Sequence, residues 1–264
     1  MLEKNIVTLS IGIITRNRKN MLKSCLFSIF ENIKNINKEI IVVDNNSNDG
    51  TVEMIKRKFN EVYLIVNRVN KGVAGARNQI IKCYKGKYIM LIDDDTEILS
   101  SNISEVVDYM KKNKKIGILG CKILTPDNQV YPSARKFPRP ANIIAKKFSF
   151  LPLLKNSLLL TPYKQVSSQI KFPKKVDFVI GAFQLIRREV PEKIGILDER
   201  MKFGFQDADY CARAAKAGFD VVYYPSFKIK HYKGIVSDRL LSIFSLYYVR
   251  SYLLFYLKHH DLLK

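Results

Sequence analysis

The sequence has 264 residues, of which 47% are hydrophobic and 26% are charged, a composition that excludes a disordered chain and fits one large α/β domain or two small ones. Its 45 lysine and arginine residues against 24 aspartate and glutamate residues give a net charge of +21, which favours polyanionic partners unless it is simply the solvated surface of a lysine-rich protein. Zinc-finger spacing, an RNP-like aromatic pair and a bZIP heptad run are absent from the sequence, so the charge alone does not indicate nucleic-acid binding.

Apolar runs and apolar helical faces alternate along the first hundred residues. Runs rich in β-branched residues predict strands, and apolar residues spaced three or four apart predict helices. Strands joined by helices and short polar loops imply a mainly parallel sheet that is covered on both faces. In chain order, the prediction is a strand at Ile6–Ile14, a helix at Asn20–Ile33, a strand at Glu39–Asp44, a helix at Thr51–Phe59, a strand at Val62–Asn67, a helix at Gly72–Tyr84 and a strand at Tyr88–Asp93.

Short polar residues follow each of the four predicted strands. Ligands of such sheets bind at the carboxyl ends of the strands, so we expect these residues to meet in one crevice. Neither GxGxxG nor GxxxxGK[ST] occurs, which excludes a dinucleotide fingerprint and a phosphate-binding P-loop. The four polar ends are Thr15–Asn17, Asp44–Asn46, Asn67 and Asp93–Asp95.

The triple aspartate points to a hard divalent cation. Three adjacent carboxylates repel one another, and burying them is costly, so they are not there for stability. On an extended chain Asp93 and Asp95 face one way and Asp94 the other. One carboxylate can then hold Mg²⁺ or Mn²⁺ while another accepts a hydrogen bond from a ribose or a sugar. The alternative is that Asp95 and Thr96 merely cap a helix that follows.

The four cysteines are far apart and none forms a CxxC pair. Each lies among apolar neighbours, which predicts reduced core thiols and fits a reducing cytoplasm. The first residues lead directly into a strand, so we expect no signal segment. The cysteines are Cys25, Cys83, Cys121 and Cys211.

Six segments, taken together and in order, resemble the family 2 glycosyltransferases, and most closely their rhamnosyltransferase-like branch. The resemblance covers about residues 5–235. It implies a GT-A fold, a nucleotide-diphosphate sugar donor, a divalent metal and an inverting transfer. The segments are LSIGIITRNR, EIIVVDNNSNDGT, NRVNKGVAGARN, YIMLIDDDTEI, FVIGAFQLIRREV and GFQDADYCARAAKAGFDVVYYPSFKIKHYKG.

The resemblance also implies roles for individual residues. Asp93–Asp95 correspond to the DXD motif, with Asp95 the preferred ligand of Mg²⁺ or Mn²⁺ and Asp93 reaching a ribose or sugar or the same metal. The late histidine, His231, is either a further ligand near the diphosphate or a structural residue. Asp44 is expected to hydrogen-bond a uracil or thymine base. The other residues implied at the nucleotide-sugar pocket are Thr15, Asn17, Asn70, Gly72, Asn78 and Asp94.

The segment FQDADYCAR resembles the Glu-Asp-x-Asp segment that carries the catalytic base of the family. The resemblance implies that Asp207 is the base, with Asp209 as the fallback, but Gln206 stands where glutamate is usual. The alternative is that both aspartates are first-turn residues that the helix dipole favours. Arg213 is spaced to pair with either of them.

The predicted organisation is a GT-A domain at 1–235 with a helical tail at 236–264. Residues 1–100 form the nucleotide-sugar half and 101–235 the acceptor half, in which the proline-rich segment Leu124–Lys175 is interpreted as an acceptor-side lid. The tail is too interrupted by Arg250 to span a membrane. It either packs on the domain or lies at the headgroup boundary of an anionic membrane.

These observations predict a cytoplasmic glycosyltransferase, peripheral on the inner face of the cell membrane if its tail binds lipid. Its partners are a UDP- or dTDP-sugar donor and a glycan or lipid-linked acceptor in surface polysaccharide synthesis, and no nucleic acid is expected. The net charge of +21 and the glutamine at position 206, where the family usually has glutamate, leave one alternative function open. That alternative is a non-catalytic basic protein that binds nucleotides or nucleic acid.

Overall fold

The computed structural model describes residues 7–141, 167–232 and 243–263. Residues 142–166 of the segment interpreted as a lid, and the start of the tail at 236–242, lie outside these residues. The described strands are β1 (Leu9–Thr15), β2 (Lys38–Asp44), β3 (Val62–Val66), β4 (Tyr88–Asp93), β5 (Thr96–Ile98), β6 (Ile116–Leu124), β7 (Val130–Tyr131), β8 (Ala134–Arg135), β9 (Lys174–Lys175), β10 (Phe178–Val179), β11 (Phe183–Arg187) and β12 (Asp220–His231).

The helices cover both faces of one large sheet. Two short 3₁₀ helices, at Ser167–Gln169 and His260–Leu263, accompany them. The described α-helices are α1 (Lys19–Asn32), α2 (Thr51–Lys58), α3 (Gly72–Cys83), α4 (Ile103–Lys112), α5 (Glu189–Ile194), α6 (Gln206–Lys216) and α7 (Ile243–His259). The seven elements predicted for the first hundred residues are thus confirmed, each within three residues of its predicted bounds.

The large sheet has the strand order β3-β2-β1-β4-β11-β6-β12-β5. Its first half is parallel, as predicted, and the register pairs Thr15 with Asp44 and Ile14 with Asp93, so the polar strand ends lie at one edge. The second half is mixed, because β11 runs antiparallel to both β4 and β6. Strands β8 and β10 lie outside this sheet and pair with each other in a small antiparallel sheet.

Two apolar cores hold the layers together, one on each face of the sheet. Alternate residues of the same strands point to opposite cores, as the two-residue period of a strand requires. In β4, for example, Met90 belongs to the core beneath α1, α2 and α4, while Leu91 belongs to the core beneath α3, α6 and α7. Gly12 of β1 allows a close approach, because a Cβ there would lie 2.6 Å from Cγ2 of Ile80 in α3.

The tail forms the predicted helix over Ile243–His259 and packs on the second core. Phe255 is completely buried there and Tyr252 nearly so. On the outward side, Leu246 is 68% exposed and Leu257 is 71% exposed. Among the helices described, none combines the length and the apolar character that a bilayer crossing requires.

Candidate active site

The three aspartates form the turn between β4 and β5. Asp93 ends β4, and Thr96, which begins β5, donates its hydroxyl to the Asp93 carbonyl at 2.7 Å. A strand therefore follows Asp95, and the next helix begins only at Ile103. The helix-capping interpretation is wrong, and the carboxylates lie at the carboxyl edge of the parallel half of the sheet.

Asp93, Asp95 and His231 form a cluster with the geometry of a metal site. Strand β12 ends at His231, and its antiparallel pairing with β5 sets His231 opposite Thr96. The imidazole Nε2 lies 3.0 Å from Oδ1 of Asp95 and 4.0 Å from Oδ2 of Asp93. One ligand atom from each residue lies within 4.8 Å of the others. Two carboxylates and an imidazole suit Mg²⁺ or Mn²⁺, so the donor set fits the divalent ion that the sequence predicts.

Asp94 turns away from this cluster and toward the end of β1, as the alternation of side chains predicts. Its Oδ2 accepts a 2.7 Å hydrogen bond from the hydroxyl of Thr15. Burial raises the pKa of Asp94 to about 7, because the hydrogen bond from Thr15 and the charge of Arg18 only partly offset desolvation. Asp94 therefore joins the aspartate turn to the β1 loop.

Arg18, just before α1, spans two of the three aspartates. Its Nη1 lies 2.6 Å from Oδ2 of Asp95 and 3.2 Å from Oδ1 of Asp94. Burial acts to raise the pKa of Asp95, but the hydrogen bond and charge of His231 and the charge of Arg18 outweigh it and hold that pKa below its usual range. The sequence places Arg18 within the segment LSIGIITRNR, but nothing local indicates which carboxylates it reaches.

Arg77, in α3, is the second cation that the sequence did not single out. Its Nη2 donates to Oδ1 of Asp93 at 2.5 Å and to the carbonyl of Gly181 at 2.7 Å. The Arg77 side chain is only 6% exposed, so it contributes a fixed positive charge to the cluster. The one sequence feature that could have indicated Arg77 is its position in GVAGARN, on the helix that follows the third strand.

Asp44, at the end of β2, lies beside the loop that follows β1. It is completely buried, and its Oδ1 accepts the backbone N–H of Ser47 at 3.0 Å. Its Oδ2 has no hydrogen-bond partner among the described residues. Asn17, in the left-handed conformation, accepts the N–H of Asn48 at 2.8 Å and so ties the two loops together.

The remaining predicted pocket residues make contacts that shape the loops. Asn70 accepts the N–H of Gly72 at 2.9 Å and the side-chain amide of Asn45 at 2.7 Å, which fixes the turn that enters α3. Asn78 exchanges hydrogen bonds with the backbone of Leu197, at 3.0 Å and 2.8 Å. Asn78 therefore anchors a loop that is distant in sequence, and its hydrogen bonds are directed there and not to the aspartate turn.

Asp207, in the first turn of α6, is connected to the aspartate cluster through two residues, Gly181 and Arg77. Its Oδ2 accepts the backbone N–H of Gly181 at 3.0 Å, and the carbonyl of Gly181 holds Arg77. The neighbouring Gln206 is buried and donates its amide to the carbonyl of Met201 at 2.7 Å. A glutamate carboxylate cannot make that donation, so glutamine at this position supports the loop before α6.

Asp209 occupies a different environment from Asp207. It is 0% exposed, and Arg213 lies 2.9 Å from its Oδ2, the (i, i+4) pairing that the sequence left open. Its Oδ1 lies 2.5 Å from Nζ of Lys258 and 2.9 Å from Nε2 of His259, both in α7. Both carboxylate oxygens of Asp209 are thus engaged, Oδ2 by Arg213 of its own helix and Oδ1 by Lys258 and His259 of the tail.

Comparison with known proteins agrees with this arrangement. Residues 10–195 match the family model described as glycosyl transferase family 2. The N-acetylglucosaminyl-diphospho-decaprenol L-rhamnosyltransferase of Mycobacterium tuberculosis is 27% identical over 212 residues, which cover 76% of this chain and 68% of the relative. The dTDP-rhamnosyl transferase RfbF of Shigella flexneri is 25% identical over 221 residues, covering 83% and 68%. The predicted family and its rhamnosyltransferase-like branch are confirmed.

A solved structure confirms the fold. The crystal structure of GalNAc-T7 with UDP, GalNAc and Mn²⁺ superposes with a TM-score of 0.69 at 15% identity. The match covers 96% of this chain but 49% of the solved one, so this chain spans about half of that protein. At this identity the likeness establishes the architecture alone, which is the predicted GT-A fold.

Proposed function

The chain belongs to glycosyl transferase family 2 and is a glycosyltransferase, and we propose that it transfers a sugar from a UDP- or dTDP-sugar with inversion at the anomeric carbon. One observation supports this most strongly. The carboxylates of Asp93 and Asp95 and the imidazole of His231 converge within 4.8 Å at the carboxyl edge of the sheet, flanked by Arg18 and Arg77. Such a cluster suits a diphosphate carried by a divalent ion.

In the donor complex, Asp93, Asp95 and His231 would hold Mg²⁺ or Mn²⁺. When bound, that ion neutralises charge on the diphosphate leaving group. Arg18 and Arg77 keep the carboxylates apart and in place, and Arg18, which is 39% exposed, can also reach a diphosphate oxygen. The GalNAc-T7 structure contains UDP and Mn²⁺, and the Shigella relative is named as a dTDP-rhamnosyl transferase, which supports this choice of donor and metal.

The nucleotide is placed by the residues at the ends of β1 and β2. The unpartnered Oδ2 of Asp44 is a buried acceptor for the ring N–H of uracil or thymine. Thr15 and Asn17 line the same loop pair, and Asp94 holds Thr15 in position. Asn70, Gly72 and Asn78 act indirectly, since they shape the start of α3 and the loop against it.

Asp207 is the proposed base. Its carboxylate takes the proton of the acceptor hydroxyl, the acceptor oxygen forms the new bond to the anomeric carbon, and the bond from that carbon to the diphosphate breaks with its electron pair leaving on the nucleoside diphosphate. The attack and departure are in line, so the configuration inverts. Asp207 is favoured over Asp209 because Asp209 is fully buried and paired with Arg213 and Lys258, whereas Asp207 is half-buried and its oxygens accept only backbone N–H groups.

The proposed acceptor is a lipid-linked glycan or polysaccharide. The name of the mycobacterial relative states an acceptor carried on diphospho-decaprenol, and that relative and this chain match over most of their lengths. The place of action would then be the cytoplasmic face of the membrane, where a nucleotide-sugar donor and a lipid-carried acceptor can meet.

The outward face of α7 is the proposed contact with an anionic membrane. Leu246, Leu253 and Leu257 form an exposed apolar stripe, and the net charge of +21 complements acidic headgroups. Flotation with anionic liposomes should show binding that weakens with salt and with Leu253→Glu/Leu257→Glu. Tyr63→Glu, at a comparably exposed position on β3, is the matched control. A protein that stays unbound at low salt contradicts this contact.

The proposed donor is tested by thermal stabilisation in the presence of nucleotide sugars. With Mn²⁺, UDP- or dTDP-sugars should raise Tm, and GDP- or CMP-sugars should not. The stabilisation should disappear in chelator. An unchanged Tm with every nucleotide sugar, or equal stabilisation with and without metal, contradicts the proposal.

A further inference from the structure

The C-terminal helix α7 packs three aromatic side chains against Phe205, the residue that precedes α6. Five non-glycine residues among those described have a positive φ, and four of them are asparagines, which tolerate this conformation. The fifth is Phe205, with φ 63°, directly before the first turn of α6. Its ring lies 4.8 Å from that of Tyr248, 5.4 Å from that of Tyr252 and 5.9 Å from that of Phe255, centroid to centroid. Contacts from α7 therefore hold a bulky residue in a backbone conformation that is costly by itself.

A second set of contacts from α7 lies on the other side of the same turn. Asp209, at 0% exposure, is paired with Lys258 and His259 at the C-terminal end of α7. Burial acts to raise the pKa of Asp209, but hydrogen bonds from His259 and Lys258 outweigh it and hold that pKa below its usual range. Asp209 is thus a buried carboxylate that depends on α7 for two of its three partners.

Asp207 lies between these two contacts. Phe205 is two residues before it and Asp209 two residues after it, so both sides of its backbone are fixed by α7. Its own carboxylate is fixed from a third direction by the N–H of Gly181. We propose that Phe205 and Asp209 are positioning residues through which α7 sets the place of Asp207, which makes a helix beyond the family-matched residues 10–195 part of the catalytic apparatus. This inference rests on Asp207 being the base.

The alternative is that α7 only adds stability to the second core. The far end of α6 also contacts the end of α7 and the residues after it, since Nζ of Lys216 donates to the carbonyl of Lys258 at 3.0 Å and lies 2.8 Å from Oδ1 of Asp261. Lys216 is nine residues along the chain from Asp207, and its contacts do not involve Asp209. Lys216→Met is therefore a matched control for the loss of a lysine contact between α6 and α7.

The experiment compares transfer kinetics of Lys258→Met/His259→Gln with those of Lys216→Met. The double variant replaces both α7 side chains that contact Asp209, and it also removes the contact of Lys258 with Asp198. The double variant should lose about 10- to 100-fold in kcat, the size of effect that a misplaced catalytic group produces, while KM for the donor stays within about twofold. Lys258→Arg, which restores the cation, should recover most of kcat. Lys216→Met should behave as wild type.

Assays are run well below the Tm of each variant, and Lys258→Met alone is used if the double variant does not fold. If a folded variant without the α7 contacts to Asp209 has the kcat of wild type, the inference that α7 positions Asp207 is overturned, whatever the Tm of that variant. Asp207→Asn, measured in parallel, separates the two proposals. If Asp207→Asn retains wild-type transfer, the base assignment fails. If it is inactive while Lys258→Met/His259→Gln is fully active, only the role of α7 fails.

Discussion

The backbone N–H of Gly181 donates to Oδ2 of Asp207 at 3.0 Å, although the two residues are 26 positions apart. The carbonyl of the same glycine accepts Nη2 of Arg77, which in turn pairs with Asp93. A single peptide segment between β10 and β11 therefore links the proposed base with the proposed metal cluster. A change there should affect both parts of the site.

Gly181→Ala should weaken donor binding and transfer together. A Cβ at this position would overlap Nη1 of Arg77, whose buried side chain would have to leave Asp93. We expect the Mn²⁺-dependent affinity for UDP or dTDP to fall and kcat to fall with it, as measured by calorimetry and initial rates. At Gly195, φ is 75° and an added Cβ would meet nothing within 4 Å, so Gly195→Ala tests whether backbone strain at a loop glycine is enough to produce this effect. Equal donor affinity in Gly181→Ala and wild type would contradict the link.

Asp44→Asn should reduce nucleotide affinity by about 10- to 100-fold, the loss of one hydrogen bond to a charged group. Asparagine can keep the Oδ1 acceptor for Ser47 N–H but replaces the unpartnered Oδ2 by a donor. Calorimetry should therefore show weaker UDP and dTDP binding with little change in Tm of the unliganded protein. Unchanged affinity for both nucleotides would remove Asp44 from the base pocket.

Asp207→Asn should abolish transfer and leave donor affinity intact. Loss of a positioned base typically costs ~10²–10⁴-fold in rate, and asparagine can still accept the N–H of Gly181. Product formation by mass spectrometry and donor binding by calorimetry check the two halves of this prediction. If Asp209→Asn is inactive and Asp207→Asn is active, the base lies two residues further along.

Asp209→Asn should destabilise the protein in a pH-dependent way. The pKa of Asp209 is lowered in the folded state, so its ionised carboxylate adds to the free energy of unfolding. That stabilisation is fully present above the unfolded pKa of about 4, and it is lost as the pH falls through the lower pKa of the folded state. Breaking a buried ion pair costs about 3 kcal/mol or more. Urea unfolding should show a constant difference from wild type between about pH 7 and pH 5 that narrows below about pH 4. A difference independent of pH would contradict the role of the charge.

Local sequence patterns were enough to predict the first half of the fold. The run at Tyr88–Asp93 and the helical spacing in Asn20–Ile33 gave correct elements because apolar periodicity reports which face is buried. The mixed second half was not predicted, since β11 owes its direction to pairing with β4, far away in sequence. Short strands such as β9 carry no periodicity at all.

In the candidate site, too, residues in a local pattern could be predicted, and contacts between residues far apart in the sequence could not. Asp93–Asp95 were found because three carboxylates after a buried strand are conspicuous in sequence. The pairing of Arg77 with Asp93 and the contact of Lys258 with Asp209 are long-range, and surface lysines and buried ones look alike in a sequence. The apolar tail was compatible with both packing and membrane contact, and only the exposures of Phe255 and Leu257 separate its inner from its outer face.

The proposed metal cluster can be tested by calorimetric titration of UDP and dTDP into the wild-type protein and Asp95→Asn, each with Mn²⁺ and with chelator. Asp95 lies within reach of both Asp93 and His231, so its carboxylate is the proposed centre of the cluster. Asp108→Asn, which removes an exposed carboxylate of α4, is the control. We predict tight binding only with Mn²⁺, unchanged in Asp108→Asn and lost in Asp95→Asn, each measured at a temperature at which the variant is folded. Nucleotide binding of equal strength in chelator, or in Asp95→Asn with Mn²⁺, would contradict a donor that is held through a metal ion.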